Sequence, residues 1–223
     1  MIKKYSVGII LAFALIIIHL LYTGFINQHL IGDFAGRETK FLISRIIMWV
    51  ILFIVFLYAK KIEKQYISLW TEKKYSLKFY LKSIPIAYFL AVGGAGVASV
   101  IIHLLTKEGV SSKIFEATAI FKNSYYLLIL TCLTAAVTEE YIMRGYIQTR
   151  LTKIYNNQWI GIFISSILFG ILHSTYGTIA QVVGTLIIGL VFAYHYNKYQ
   201  SIKTLIIVHF LIDFISLNAL YFK

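Results

Sequence analysis

Seven apolar runs of 17 to 28 residues divide the chain, at about 5–26, 41–59, 84–106, 124–151, 158–174, 178–197 and 202–221, each bounded by charged or polar clusters. Crossing a hydrocarbon core takes roughly 20 mostly apolar residues, and in lipid only a helix or a closed barrel satisfies its own backbone. The spacing therefore predicts an all-α fold, a polytopic transmembrane helical bundle of about seven spans. Composition supports this: 59% of residues are hydrophobic, 13% are charged, and mean hydropathy is +0.78. A soluble domain of 223 residues has too little interior to hide that much apolar surface. Residues 1–123 divide into three spans and a basic loop, and residues 124–223 form a second group of four spans. The two are expected to make one compact membrane domain.

The chain is basic, with 21 Lys+Arg against 9 Asp+Glu, but the basic residues lie between the apolar runs and form no solvated face for nucleic acid. On one side of the expected bundle fall Lys3 and Lys4, seven lysines from Lys60 to Lys82, then Arg144, Arg150, Lys153, Lys198 and Lys203. The other side carries six, and Arg45 lies inside the second run. The positive-inside rule makes the richer side cytoplasmic, which predicts a multi-pass cell-membrane protein with its N-terminus inside. The first run has a signal-like basic start but is too long and lacks a small-residue cleavage site, so it reads as a retained span.

The segment from Lys60 to Lys82 mixes lysine with Trp70, Tyr and Phe, which fits an interfacial helix on anionic lipid or a solvated loop. Pro85, the single proline, opens the third run and suits a first helical turn. Gly93, Gly94 and Gly96 suit close helix packing. Cys132, the single cysteine, reads as a packing residue.

The fourth run contains Glu139-Glu140-Tyr-Ile-Met-Arg144-Gly145. Acids at that depth cost a few kcal/mol each, so they need a partner, a proton or water. Glu140 and Arg144, four residues apart on one face, can satisfy each other. Glu139 points about 100° away and has no local partner, as a general base requires. The alternative is a structural ion pair at the membrane rim with Glu139 merely solvated.

Depth favours the functional reading. Glu139 lies about 12 residues, or roughly 18 Å, from the inner end of its run if that run ends near Leu151. His173 lies roughly 22 Å from the same side, and His209 and Asp213 roughly 10 and 16 Å. His209 and Asp213 also share a helix face. His19, His29, His103 and His195 lack such company and read as packing residues. Thr138, Ser165, Ser166 and Ser174 sit in no nucleophile turn and read the same way.

The ordered motifs Glu139-Glu140-x-x-x-Arg144, Phe169-x-x-x-His173 and His209-x-x-x-Asp213 resemble those of the CAAX protease and bacteriocin-processing family of membrane proteins, in its type II CAAX prenyl endopeptidase-like group. The resemblance covers roughly residues 124–216, with Gly184 and Gly189 fitting the family's glycine-bearing helix. It implies that Glu139 with His173 activates a water, that His209 and the residue at 213 bind the developing oxyanion, and that Glu140 and Arg144 hold the site or orient substrate. At 213 many family members have Asn. An ionised Asp would repel an oxyanion, so Asp213 is either protonated or an acceptor that orients His209. Glu139, His173 and His209 are the residues a zinc ion would use, yet H-E-x-x-H is absent, and the reading inclines to no cofactor.

The expected function is an intramembrane endopeptidase cutting a membrane-associated peptide or protein near the cytoplasmic face, in bacteriocin or peptide maturation or in self-immunity. Its partners would be that substrate and the lipid bilayer, with no nucleic acid; no feature specifies an oligomeric state. The alternative is a non-catalytic bacteriocin-immunity or scaffold protein that keeps the fold. A proton-coupled transporter is disfavoured by the absence of a half-sequence repeat.

Overall fold

The structure, a computed structural model, describes residues 1–22, 36–109, 111, 120–121 and 124–221, without the side chains of residues 37 and 221. It is 87% helical, and no strand occurs among the described residues. Seven helices are long and apolar enough to cross a membrane. We number them α1 (Ile2–Leu21), α2 (Arg37–Tyr58, continued by a wider π turn, Ala59–Glu63), α3 (Leu77–Thr106), α4 (Tyr125–Tyr155), α5 (Gln158–Leu172, continued by a 3₁₀ turn, His173–Tyr176), α6 (Ile179–Tyr199) and α7 (Ile202–Tyr221). The expected seven spans are present. The end of the first run, 23–26, and His29 lie outside the described residues.

The helices run alternately up and down. At one end the Lys4 ammonium donates to Ile62 O and the Tyr58 hydroxyl to Lys4 O, each at 3.0 Å, and Asn197 meets Gln158 at 2.8 Å. At the other, Ser111 donates to Tyr176 O, and Tyr125 donates to Asn218 at 3.0 Å. The first of these ends gathers the lysine-rich segments.

Polarity is arranged inside out. Exposed positions on every helix carry large apolar side chains such as Ile10, Phe53, Phe89, Leu133, Phe163, Tyr194 and Ile207, a surface suited to lipid tails. Buried positions include Thr134, Thr138, Glu140, Arg144, Gln148, Arg150, Ser166 and His209. Helix α4 is the central post: 61% of its most apolar window is buried, against 6% to 33% for the others. Its inward residues Ile142, Met143, Tyr146 and Ile147 pack with Ala12, Val55 and Phe169, while Leu128 and Cys132 pack with Phe121 under Phe41 and Phe210.

Several expectations need correction. Helix α3 begins at Leu77, so Pro85 is internal rather than in the first turn. The amphipathic start Leu77-Lys-Phe-Tyr-Leu-Lys belongs to the span, and its lysines can snorkel to the interface. Of the three glycines of α3, only Gly94 faces a neighbour, with Ile187 Cγ2 2.9 Å from where a Cβ would be; nothing lies within 4 Å at Gly93 or Gly96. The stretch 64–76 is neither an interfacial helix nor a free loop. Glu63 at its start takes Arg150 in a buried ion pair at 2.6 Å, and Arg150 also donates to the Tyr66 and Ile67 carbonyls. Trp70 packs on Tyr196, and Glu72 accepts from Ser201 Oγ and Ile202 N at the start of α7. An acid capping a helix start satisfies otherwise unpaired N–H groups and suits the helix dipole.

Candidate active site

Helix α4 extends to Tyr155, four residues past its expected end, before Asn156 turns the chain in a left-handed conformation. Glu139 therefore stands 16 residues, roughly 24 Å, from that end and 14 residues, roughly 21 Å, from Tyr125. It is deeper than expected, close to the middle of the helix. Helix α7 starts beside Gly145, where a Cβ would stand 3.3 Å from Ile202 Cδ1, so its first residue is already ten residues inward of Tyr155. That offset, roughly 15 Å, brings His209 level with Glu139, even though it is only seven residues into its own helix.

Immediately after Glu140 the helix widens into a π turn, Tyr141–Gln148, a form often found at functional sites. Arg144 in that turn donates Nη1–H to Glu140 Oε1 at 3.0 Å, both side chains being fully buried. The pair expected from their spacing is present. Arg144 Nη2 also donates to Gly189 O on α6 at 3.4 Å, and its guanidinium lies 4.4 Å from the Phe169 ring centre and 5.4 Å from that of Phe192. Gly189 permits this close approach: a Cβ there would stand 3.3 Å from Ser166 Cα and 3.4 Å from Phe169 Cδ1.

Sequence reasoning did not foresee that Glu140 also holds His209, whose Nδ1 lies 2.8 Å from Glu140 Oε1. A carboxylate oxygen that already accepts from Arg144 accepts here as well, so Nδ1 carries the proton. The ring is thereby fixed with Nε2 facing Asp213 Oδ2 at 3.5 Å and Glu139 Oε2 at 3.9 Å. Glu139 and Asp213 are 26% and 30% exposed, against 0% for Glu140 and 8% for His209, so the first two are the acids a substrate or water can reach. Among the described residues it is Glu140, not Asp213, that makes a hydrogen bond to His209.

His173 stands at the end of α5. Its Nδ1 lies 2.8 Å from Phe169 O, and since a carbonyl only accepts, Nδ1–H donates, which in the neutral imidazole leaves the lone pair on Nε2. The Phe169 ring joins it to the rest of the site, 4.7 Å from the His173 ring and 6.1 Å from that of His209. Phe169 was read only as part of a motif, but it is the contact shared by His173, His209 and Arg144. No hydrogen bond or ion pair joins Glu139 to His173 among the described residues. Thr138, Ser165 and Ser166 donate to carbonyls three or four residues back in their own helices, as packing residues do.

Among the described residues no three of His, Cys, Asp and Glu, Glu139, His173 and His209 included, are grouped so as to hold a metal ion.

The family model described as type II CAAX prenyl endopeptidase, Rce1-like, matches residues 121–215. The match runs from just before α4 to two residues past Asp213 and contains all three motifs, so the resemblance read from them is borne out over that segment. No curated protein and no solved structure matches the chain. Within 121–215 the chain is thus similar to membrane proteases, and the seven apolar helices fit a multi-pass membrane protein.

Proposed function

We propose that the chain is an intramembrane endopeptidase, hydrolysing a peptide bond of a membrane-associated peptide or protein with a water activated by Glu139 and His173. The observation that carries this reading is the posture of His209: pinned on Nδ1 by a buried carboxylate, it turns Nε2 toward two reachable acids at mid-helix depth. An isolated structural ion pair would need Glu140 and Arg144 alone.

In the proposed reaction a water oxygen attacks the substrate carbonyl carbon while its proton passes to Glu139, assisted by the free Nε2 of His173. His209, protonated on Nε2, donates to the oxyanion as the tetrahedral intermediate forms. Asp213 in its neutral form adds a second donor. Collapse breaks the C–N bond, and the proton held by Glu139 goes to the departing amine. Glu140 and Arg144 touch no substrate; they keep His209 and Phe169 in position. The proposed chemistry uses side chains alone, and the role proposed for it is maturation of a small peptide or self-immunity to one.

Purified protein in lipid vesicles, with Glu139→Ala, His173→Ala and His209→Ala made separately, tests the reading. Loss of peptide hydrolysis by at least about a hundredfold in each is expected, at unchanged membrane level. Full activity in all three overturns it and favours the non-catalytic immunity or scaffold role. Activity abolished by chelation and restored by zinc would overturn the metal-free part alone.

A further inference from the structure

Arg45 is a charge inside a membrane span for which the proposed chemistry has no use. Its Nη2 donates to Ser44 Oγ at 3.1 Å and its guanidinium lies 4.7 Å from the Phe41 ring centre, yet no carboxylate comes within 4.0 Å of it among the described residues. Its Nε is buried with no hydrogen-bond partner. A guanidinium has five donors and no acceptor, and holding one in an apolar span is costly without an anion to meet it.

Its position relative to the site is fixed by its neighbours on α2. One turn before it, Phe41 packs edge-on against Phe121 at 5.4 Å. One turn after it, Trp49 Nε1 donates to Thr134 Oγ1 on α4 at 3.1 Å, five residues before Glu139. Phe41 also covers the apolar cluster that Phe210 and Phe214 of α7 enter, on either side of Asp213. Glu139, Asp213 and Tyr176 all lie within electrostatic range of the guanidinium. Arg45 thus stands at the edge of the two reachable acids, with donor capacity left over.

We infer that Arg45 binds a carboxylate of the peptide held in this site, the C-terminal carboxylate or an acidic side chain near the cut. This rests on the endopeptidase reading. Neutral backbone needs no guanidinium, whereas a carboxylate approaching the ionised Glu139 meets repulsion unless a fixed cation receives it. The planar fork of arginine matches the two carboxylate oxygens, which a lysine does not.

The test measures retention of peptides by full-length Glu139→Gln protein in lipid nanodiscs, where turnover is not required. Three degenerate apolar octapeptide libraries serve as probes: one ending in a free acid, one ending in an amide, and one amidated but carrying an internal glutamate. Retention of the free-acid or the glutamate library about tenfold above the plain amide is expected, and which of the two is retained identifies the source of the carboxylate. Arg45→Gln should erase that preference while leaving amide retention unchanged, and Arg45→Lys should restore it only in part. Equal retention of all libraries, retention of none, or an equal fall for acid and amide in both Arg45 variants overturns the inference. Failure of the Glu139-intact protein to cleave any library counts against the endopeptidase reading alone.

Discussion

Glu139 and Glu140 are neighbours in sequence and opposites in surroundings. Glu140 is enclosed, takes two hydrogen bonds on one oxygen, and has its other oxygen buried without a partner. Glu139 is a quarter exposed and, among the described residues, within ion-pairing range of His209 alone. Glu140→Leu should therefore strand Arg144 and release His209, lowering stability by about 3–5 kcal/mol, the usual cost of leaving one buried charge unpaired. Glu139→Gln should change stability by less than about 0.5 kcal/mol while abolishing hydrolysis. Thermal unfolding in detergent beside a cleavage assay separates the two, and similar destabilisation by both would deny the division of labour. From sequence, the partnership of Glu140 with Arg144 was legible because four-residue spacing on a helix is local. The bond from Glu140 to His209 spans 69 positions and depends on how α7 is offset against α4, which no local pattern encodes. The same holds for Arg150 and Glu63, whose only sequence signals were an acid among lysines and an arginine inside an apolar run.

At the scale of elements, the seven spans were legible because lipid imposes length and apolarity on each helix separately. Their ends were less so. Helix α3 starts seven residues before its apolar run, since lysines at a helix end can snorkel, and α4 continues to Tyr155 through Thr152 and Lys153 for the same reason. A packing role for glycines was legible, but not which of them packs closely. Gly189 lets α6 approach α5 while its carbonyl receives Arg144, whereas a Cβ at Gly184 would meet Ala95 Cβ at an ordinary 3.7 Å. Gly189→Val should push α6 from Ser166 and Phe169, cost about 1–3 kcal/mol as overpacking does, and cut hydrolysis by disturbing Arg144. Gly184→Ala and Gly96→Ala should be neutral in both unfolding and cleavage assays. A neutral Gly189→Val would show that the α5–α6 contact does not position the site.

For the whole molecule, most of the described lysines lie toward one end: Lys60 and Lys64 flank Glu63 in sequence, Lys153 follows Arg150, and Lys73 and Lys74 lie in the stretch 64–76. The stretch 64–76 is tied there by the Lys73 N–H bond to Gln200 O at 3.1 Å and by Glu72 at the start of α7. It therefore remains on one side of the bilayer whichever way the bundle is inserted, and its lysines argue for the cytoplasm. In a Cys132→Ala background, Lys73→Cys and Thr106→Cys introduce thiols at two exposed positions at opposite ends of the bundle. A membrane-impermeant maleimide applied to intact cells should label the cysteine at 106 and spare the one at 73, with the pattern reversed in inside-out vesicles. The reverse result would put the N-terminus and the lysine-rich end outside. The inner ends of α4, α5, α6 and α7 would go with them, while the depth of the proposed site, nearly equidistant from the two ends of α4, would stay where it is.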